Sequence, residues 1–318
     1  MLIVQKFGGS SLAGAERLRR AASIIADSAD AGNKVVAVVS ARGDMTDELL
    51  GQARRISADP PVREIDALLS CGETGSAAMT AMQLADIGKR CISLTGAQAG
   101  ILTDGVHGAA RILSIDTARI MRELDAGKIV VAAGFQGAER GGDTTTLGRG
   151  GSDTTAVELA AALKADRCEI YSDVDGIYTA DPRLVTGAVR LDSIDYGDML
   201  HLALHGSQVL HSRSVEAAMR ANVRVHLLSS FTRHEGTVMC KLDDRSGLCG
   251  VTRDPSLGTV SIIGREADAH VLAEAVAALA HSDIIVTRTE LFDGGCSLFV
   301  SPDRLLPALE ITHRRFFR

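Results

Sequence analysis

The sequence contains no tryptophan, and aromatic residues make up only 3% of its 318 residues. Proteins that bind single-stranded nucleic acid stack its bases on aromatic side chains, so this composition argues against such a platform. The formal net charge of −6 points the same way, because binding to nucleic acid needs a basic surface. We therefore expect no nucleic-acid partner.

Long apolar runs are also missing. The longest, VVAVV (35–39) and IVVAAGF (129–135), fall well short of the ~18 residues that a membrane span needs. MLIVQKF, at the start, has no basic segment and is too short for a signal peptide, so it is predicted to be a strand. The six cysteines show no C-x-x-C spacing, which favours reduced thiols. These features predict a cytoplasmic protein without a membrane partner.

Hydrophobic residues make up 46% of the chain. Along the sequence, short runs rich in β-branched residues alternate with segments of helical periodicity. The predicted strands are 2–7, 34–40, 91–95, 128–135, 167–172 and 223–229. The predicted helices are 12–29, 62–87 with an interruption near Gly72, 116–126, 152–164, 195–205 and 212–221. This alternation predicts an α/β fold with a mostly parallel sheet covered on both faces, and ligands beyond the carboxyl ends of its strands.

The pattern changes near residues 236–250. The rest of the chain is predicted to form a strand, a helix, two strands and a helix, over residues 258–263, 270–281, 283–289, 295–300 and 302–312. That is too short for a second doubly wound domain but long enough for a small α+β module. We predict one domain over 1–243 and a second over 244–318.

Two glycine-rich turns follow predicted strands and precede predicted helices. In KFGGSS (6–11) the lysine comes before the glycines, whereas the common phosphate loop has it after them. The turn either binds an anion through its backbone N–H groups and Lys6, or is a plain strand-to-helix turn. In GRGGSDTTA (148–156), Ser152 and Asp153 are explained by helix capping, but Arg149 and the paired glycines are not. Two such turns in one domain favour a site for two anions.

Three further stretches carry polar residues at strand ends or helix starts. YSDVDGIYTADPR (171–183) either lines a nucleotide or forms ordinary Asp-Gly and Asp-Pro turns. In SARGDMTDELL (40–50), Thr46 and Asp47 either contribute to a site or cap a helix. In LLSCGETGSAA (68–78), Glu73 could pair with an ammonium group while Arg149 holds a carboxylate, which is the arrangement that an amino-acid substrate requires.

His201 and His205 are four residues apart on a predicted helix, a spacing that could suit a metal. No carboxylate or cysteine completes a ligand set there, so we interpret them as structural or surface residues. A nucleophile elbow of the G-x-S-x-G type is also absent.

In their order along residues 2–240, these motifs resemble the aspartokinases of the amino-acid kinase superfamily. GRGGSDTTA and YSDVDGIYTADPR carry the most specific part of the resemblance. It implies a three-layer αβα amino-acid-kinase-like domain with a mostly parallel central sheet, plus a small α+β module similar to the ferredoxin-like ACT domain. It further implies an aspartate kinase that uses ATP and Mg²⁺ to make 4-phospho-L-aspartate, the first step toward lysine, threonine and methionine.

The resemblance also implies residue roles. Lys6 would contact the transferring phosphoryl group and Asp153 would orient Lys6. The acceptor site would comprise Ser40, Thr46, Glu73, Arg149, Gly150, Gly151 and Ser152. ATP would be bound by Lys6, Gly8, Gly9, Ser10, Ser172, Asp173, Tyr178, Asp181, Pro182, Arg183, Ser207 and Gln208. Mg²⁺ would be held mainly by the ATP phosphates, with no protein metal site. The alternatives are a kinase for another acidic acceptor such as N-acetylglutamate, or a silent regulatory paralogue.

Two departures from the family pattern stand out. HGSQVLHSRS has Gln208 where a lysine is expected near the nucleotide, and Ser212 in place of a proline. SGLCGVTRDPSLGTVSIIG resembles the start of one ACT module, but GREADAH (264–270) replaces the usual effector loop. We therefore expect altered or absent feedback inhibition by lysine or threonine, with the tail serving in a homodimer or higher homo-oligomer.

Overall fold

The structure is a computed structural model that describes residues 1–232, 234–243 and 247–317. The strands are β1 (Leu2–Phe7), β2 (Lys34–Val39), β3 (Cys91–Leu94), β4 (Ile101–Thr103), β5 (Ile112–Ile115), β6 (Ile129–Ala133), β7 (Gln136–Ala138), β8 (Thr144–Thr146), β9 (Arg167–Ser172), β10 (Ser193–Asp195), β11 (Val225–Ser229), β12 (Thr237–Cys240), β13 (Leu248–Asp254), β14 (Thr259–Gly264), β15 (Arg288–Phe292) and β16 (Gly295–Phe299).

The α-helices are α1 (Gly9–Leu12), α2 (Gly14–Asp30), α3 (Met45–Ile56), α4 (Val62–Asp86), α5 (Ala118–Asp125), α6 (Gly151–Leu163), α7 (Tyr196–Leu204), α8 (Ser212–Ala221), α9 (Ala269–Ala280) and α10 (Leu305–Phe316). They and the strands form two compact units. The first comprises residues 1–175 and 220–234, and the second comprises 176–219 and 235–318.

The first unit is built on a parallel sheet with the strand order β11-β9-β1-β2-β6-β3. Its central strands, such as KVVAVV and IVVAA, are almost wholly apolar because helices cover both faces of the sheet. Side chains of α2 and α4 bury one face, in a core that includes Ile25, Leu84 and Val131. Helix α6 contacts β1, β2 and β9.

The first unit also contains a smaller sheet, β5-β4-β7-β8, which the sequence did not predict. Its strands are only three or four residues long and lack the alternation of a half-buried strand. The pairs β4–β5 and β7–β8 are antiparallel, and β4–β7 is parallel.

The second unit contains the parallel pair β10–β12 and an antiparallel sheet with the order β13-β14-β16-β15. Apolar side chains of this sheet, of α9 and of α10 form its core. The predicted α/β fold with a mostly parallel sheet and a small α+β module is confirmed. The predicted domain boundary between 243 and 244 stays a prediction, and residues 244–246 lie outside the described residues.

Two local predictions were wrong. Helix α4 runs unbroken through Gly72, where an added Cβ would lie 2.9 Å from Ala41 Cβ, so this glycine permits close packing rather than a break. The strand predicted over 283–289 begins only at Arg288, because Asp283 adopts a left-handed conformation (φ 54°) just after α9.

Candidate active site

The turn after β1 places a lysine beside a carboxylate. Lys6 Nζ lies 2.5 Å from Asp153 Oδ1, and the two side chains are only 10% and 14% exposed. An added Cβ at Gly8 would lie 3.4 Å from Lys6 Nζ, so the ammonium group lies directly against the backbone of the turn. Because an ammonium group has three N–H donors, Lys6 can bind an anion while it remains paired with Asp153.

The turn after β1 also packs closely against the loop after β2. Gly43 N–H donates to the Gly9 carbonyl at 3.0 Å. An added Cβ at Gly9 would lie 2.6 Å from the Ala41 carbonyl oxygen, so a side chain does not fit at Gly9. The glycine therefore allows two strand ends to meet at the carboxyl edge of the sheet, where α/β folds bind their ligands.

Helix α6 begins directly after Gly150, which adopts a left-handed conformation (φ 68°) suited to glycine. The capping interpretation of Ser152 was wrong, because the helix begins at Gly151 and Ser152 lies buried inside its first turn. Asp153, in the same turn, is stabilised by the positive end of the helix dipole. Arg149 is exposed on the loop that leads into α6.

Glu73, on α4, is a buried carboxylate with one oxygen left without a partner. Its Oε1 accepts a hydrogen bond from Ala41 N at 3.1 Å, and its Oε2 has no partner among the described residues. The side chain is only 3% exposed, and burial raises its pKa to about 7, although the Ala41 N–H lowers it. Because ionised Glu73 could accept a hydrogen bond from a cation through Oε2, it suits a substrate ammonium group.

Gln136 supports the stretch of α4 that carries Glu73. Its Nε2 donates to the Ser70 carbonyl at 2.9 Å, and its Oε1 accepts from Gly96 N at 3.3 Å. Gln136 was not among the predicted site residues. The glutamine of the AGFQG stretch, in an otherwise apolar run, was the only available signal.

Asp66 is the centre of a second network that the sequence analysis missed. This buried carboxylate accepts hydrogen bonds from Thr146 Oγ1 at 2.5 Å and from Gly108 N at 3.0 Å, and its Oδ2 lies 2.8 Å from His107 Nδ1. It therefore links α4 to β8, whose last residue, Thr146, comes three residues before Arg149 in the sequence. The three side chains come from distant segments of the sequence, so no motif predicted that they would meet.

Ser40 and Thr46 belong to the loop after β2 and to the start of α3. Ser40 N–H donates to the Phe7 carbonyl at 3.1 Å, which continues the pairing of β1 with β2 beyond the strands. The N-cap residue of α3 is Asp44, so the capping interpretation of Thr46 and Asp47 was wrong. Both residues lie within the first turn of the helix.

The predicted nucleotide residues fall in both units. Ser172, at the end of β9, and the exposed Asp173 belong to the first unit. The others, Tyr178, Asp181, Pro182, Arg183, Ser207 and Gln208, belong to the second. Within the second unit, Arg183 Nε and Nη2 lie 3.0 and 2.8 Å from the Asp181 carboxylate oxygens, and the guanidinium group holds the pKa of Asp181 below its usual range.

His201 and His205 pack against an aromatic side chain. The His205 ring stacks on Phe292 with centroids 4.2 Å apart, and the His201 ring lies 5.6 Å from Phe292. Among the described residues, no group of three or more histidine, cysteine, aspartate or glutamate side chains is placed to hold a metal ion.

The sequence of the chain is similar to that of a known protein family. The sequence profile of the amino acid kinase family matches residues 1–229. The aspartokinase of Mycolicibacterium smegmatis is 48% identical over 290 residues, which cover 89% of this chain and 69% of that protein. The chain therefore belongs to the amino acid kinase family. Within it, the chain belongs to the aspartokinases, as the sequence motifs predicted.

Solved structures agree with this assignment. Aspartate kinase from Synechocystis is 37% identical with a TM-score of 0.69, and the match covers 99% of this chain and 55% of that one. Aspartokinase III from E. coli, in complex with aspartate and ADP, is 26% identical with a TM-score of 0.72, and the match covers 98% of this chain and 84% of that one. In the part of the chain that the structure describes, no helix is long and apolar enough to cross a membrane.

Proposed function

We propose that the protein transfers the γ-phosphoryl group of ATP to the β-carboxylate of L-aspartate and forms 4-phospho-L-aspartate. The observation that carries this proposal is the largely buried pair of Lys6 and Asp153 against the glycine turn after β1. The activity named for the relatives supports it, as does the binding of aspartate and ADP by E. coli aspartokinase III. The product is an activated acid that serves amino-acid biosynthesis.

The chemistry needs positioning and charge neutralisation more than proton transfer. The β-carboxylate of aspartate is ionised at pH 7, so it attacks without a general base. The Lys6 ammonium neutralises charge that develops on the transferring phosphoryl group, and backbone N–H groups of Gly9 and Ser10 bind its oxygens. Gly8 lies beside them, and its own N–H donates to the Tyr171 carbonyl at 3.2 Å. Asp153 holds Lys6 in place at 2.5 Å.

Five side chains are proposed to bind the acceptor or to line its site. Arg149 and Ser152 bind the α-carboxylate of aspartate, and Glu73 Oε2, which lacks a partner, accepts a hydrogen bond from its ammonium group. Gly150 and Gly151 leave room beside the substrate, while Ser40 and Thr46 line the site. N-acetylglutamate fits less well, because its acetylated amine has no charge to pair with Glu73.

The nucleotide is proposed to contact Ser172 and Asp173 at the end of β9, together with Tyr178, Asp181, Pro182, Arg183, Ser207 and Gln208. Mg²⁺, bound to the ATP phosphates, supplies further charge neutralisation.

Two features of the chain support a proposal for its location and its assembly. No two of the six cysteines form a disulfide among the described residues, which suits the reducing cytoplasm. Strand β15 lies at an edge of the antiparallel sheet, and Leu291 on it is exposed, so pairing with a second copy would cover this edge. We therefore place the protein in the cytoplasm as a homodimer or higher homo-oligomer, which light scattering after size exclusion tests.

The decisive experiment for the activity is hydroxamate formation. Purified protein is incubated with ATP, Mg²⁺, hydroxylamine and L-aspartate, with L-glutamate and N-acetylglutamate as parallel acceptors. Aspartyl hydroxamate that depends on ATP is the expected product, with little from the other two acids. Equal or greater product from N-acetylglutamate would show a different acceptor, and no product from any acid would point to a silent regulatory paralogue.

A further inference from the structure

The proposed nucleotide residues Tyr178, Asp181, Pro182 and Arg183 lie on one well-defined loop of the second unit. We call residues 177–191 the nucleotide loop. Its two ends pair antiparallel: Leu191 N–H donates to the Ile177 carbonyl at 2.8 Å, and Thr179 N–H donates to the Val189 carbonyl at 2.9 Å. Tyr178 forms a bridge with Arg190 in the same pairing. The loop is therefore a folded element and not a flexible connection.

The apolar side chains of the nucleotide loop belong to the core of the α+β module. Ala180 and Val185 are buried in one cluster with side chains of the antiparallel sheet and of α10, among them Val260 and Leu309. Leu184 and Ala188 pack against the same cluster. The proposed nucleotide residues 178 and 181–183 are thus flanked by residues that anchor the loop in this core.

Thr179 is the polar anchor of the loop. Its carbonyl accepts a hydrogen bond from Val251 N at 2.7 Å, which attaches the loop to β13. Its Oγ1 accepts from Val189 N at 3.0 Å and lies 2.8 Å from Nε2 of His313. Since Oγ1 already accepts a hydrogen bond from Val189, its own proton is available for a neutral imidazole.

His313 is well placed to fix Thr179. It lies on α10, is only 2% exposed, and stacks on Phe317 with ring centroids 5.2 Å apart. Burial lowers its pKa, so the ring is neutral near pH 7 and one of its nitrogens can accept a hydrogen bond. The ring is therefore held by packing on one side and by Thr179 on the other.

We propose that His313 is a positioning residue for the nucleotide: through Thr179 it fixes the loop that carries Tyr178, Asp181 and Arg183. The inference rests on the proposed ATP-dependent function. A loop that is already ordered loses little conformational entropy when a ligand binds, so an anchor of this kind raises affinity without contacting the ligand. The C-terminal helix therefore supports nucleotide binding.

The test compares three variants of α10 in the full chain. His313→Leu removes the hydrogen bond and places an apolar side chain of similar bulk in the same buried position. His313→Gln keeps a polar atom that can reach Thr179 Oγ1. Thr312→Val is the matched control, because Thr312 is the adjacent buried residue and its Oγ1 has no hydrogen-bond partner among the described residues. Circular dichroism and thermal melting verify that each variant folds.

The readouts are the Kd for ATP by calorimetry, and kcat with both KM values by the hydroxamate assay. His313→Leu should weaken ATP binding about tenfold, as expected for the loss of one buried hydrogen bond, and leave the KM for aspartate within about twofold. His313→Gln should recover most of this loss, and Thr312→Val should match the wild type. If His313→Leu does not fold, Thr179→Val removes the hydroxyl from the other side, together with its hydrogen bond from Val189 N, and should give at least the same loss.

Several results would overturn the inference: unchanged ATP affinity in His313→Leu, an equal loss in Thr312→Val, or a parallel loss of aspartate affinity. Failure of the proposed function looks different. A wild-type protein that binds ATP in a His313-dependent way but forms no hydroxamate would refute the function and keep the inference. A wild-type protein that binds no ATP would refute both.

Discussion

Lys6 Nζ lies 2.5 Å from Asp153 Oδ1, so the end of the first strand and the first turn of α6 share one ion pair. The pair is largely buried, which strengthens the attraction between the two groups and fixes the lysine over the turn at Gly8 and Gly9. A lysine held in this way approaches a phosphoryl group without having to order its side chain first.

Lys6→Ala should lower kcat by about a thousandfold, because it removes the cation that neutralises the transferring group. Asp153→Asn should be nearly as damaging, since it leaves Lys6 without its charged partner. The hydroxamate assay measures both. Lys34→Ala is the matched control, because Lys34 pairs with Asp125 at 2.7 Å on an exposed surface and should keep wild-type kcat. A folded Lys6→Ala protein with wild-type turnover would refute the assignment.

Glu73→Gln should raise the KM for aspartate about a hundredfold, as expected when a buried charge–charge hydrogen bond is lost. In the wild type, binding of the substrate ammonium should ionise Glu73, whose pKa is about 7 without it. Aspartate should therefore bind more tightly as the pH rises toward 7, with release of a proton. Calorimetry in buffers of different ionisation enthalpy measures that proton, and no release near pH 6.5 would contradict the role.

The same carboxyl should influence stability. Its pKa rises from 4.5 to about 7 on folding, so the folded protein binds more protons and its stability falls as the pH rises through this range. The cost of an ionised Glu73 is about 3 kcal/mol. In urea titrations, Glu73→Gln should therefore gain about that much relative to the wild type between pH 5 and pH 8. A difference that does not change with pH would argue against a buried carboxylate at this position.

Asp66→Asn should lower the free energy of unfolding by about 3 kcal/mol, because a buried acceptor of several hydrogen bonds acquires N–H groups that face other donors. The KM for aspartate should also rise, since Asp66 holds Thr146 close to Arg149. Asp86→Asn, at the exposed end of the same helix, should change stability by less than about 0.5 kcal/mol. Equal stability of the two variants in urea titrations would contradict a structural role for the network.

Gln208→Lys should leave the KM for ATP unchanged or lower it by up to about tenfold, because one charge-assisted hydrogen bond to a phosphate contributes about 1.5 kcal/mol. Gln208 is exposed, so the substitution should not affect folding. Gln52→Lys, on an exposed surface of α3, adds the same charge elsewhere and should have no effect. Weaker binding of ATP by Gln208→Lys would contradict the expectation that a lysine here can bind a phosphate of the nucleotide.

Lysine and threonine should not inhibit the purified enzyme at sub-millimolar concentrations. The segment GREADAH leads into α9, and its Asp268 carboxylate is engaged in capping that helix, with hydrogen bonds from His270 N at 2.9 Å and Val271 N at 3.0 Å. Initial rates with each amino acid, alone and together, measure this. Half-maximal inhibition below 1 mM by either one would refute the expectation.

The principal layers of the fold could be read from the sequence because parallel strands and their covering helices have strong, different periodicities. Because ligands lie beyond the carboxyl ends of parallel strands, KFGGSS and GRGGSD were predicted to contribute to one site. The structure pairs Lys6 of the first with Asp153 of the second. Helix starts were less predictable. Ser152 has the chemistry of an N-cap, but the left-handed Gly150 begins the helix before it.

Contacts between single distant residues could not be predicted in this way. Asp66, His107 and Thr146 meet only because the small sheet β5-β4-β7-β8 brings their segments together, and its strands were too short to be recognised. The link between Thr179 and His313 is similar, since a histidine in an amphipathic helix gives no sign of its partner.

The burial of Ala180 and Val185 in the core of the α+β module bears on how the protein is synthesised. His313 is 134 residues beyond Thr179, so a growing chain on the ribosome carries the nucleotide loop long before the residues that anchor it. The loop can reach its final shape only when α10 has been translated. Premature termination after β12 would therefore leave the lysine and glycine turns complete, while residues 177–191 would lack the core and the histidine that anchor them.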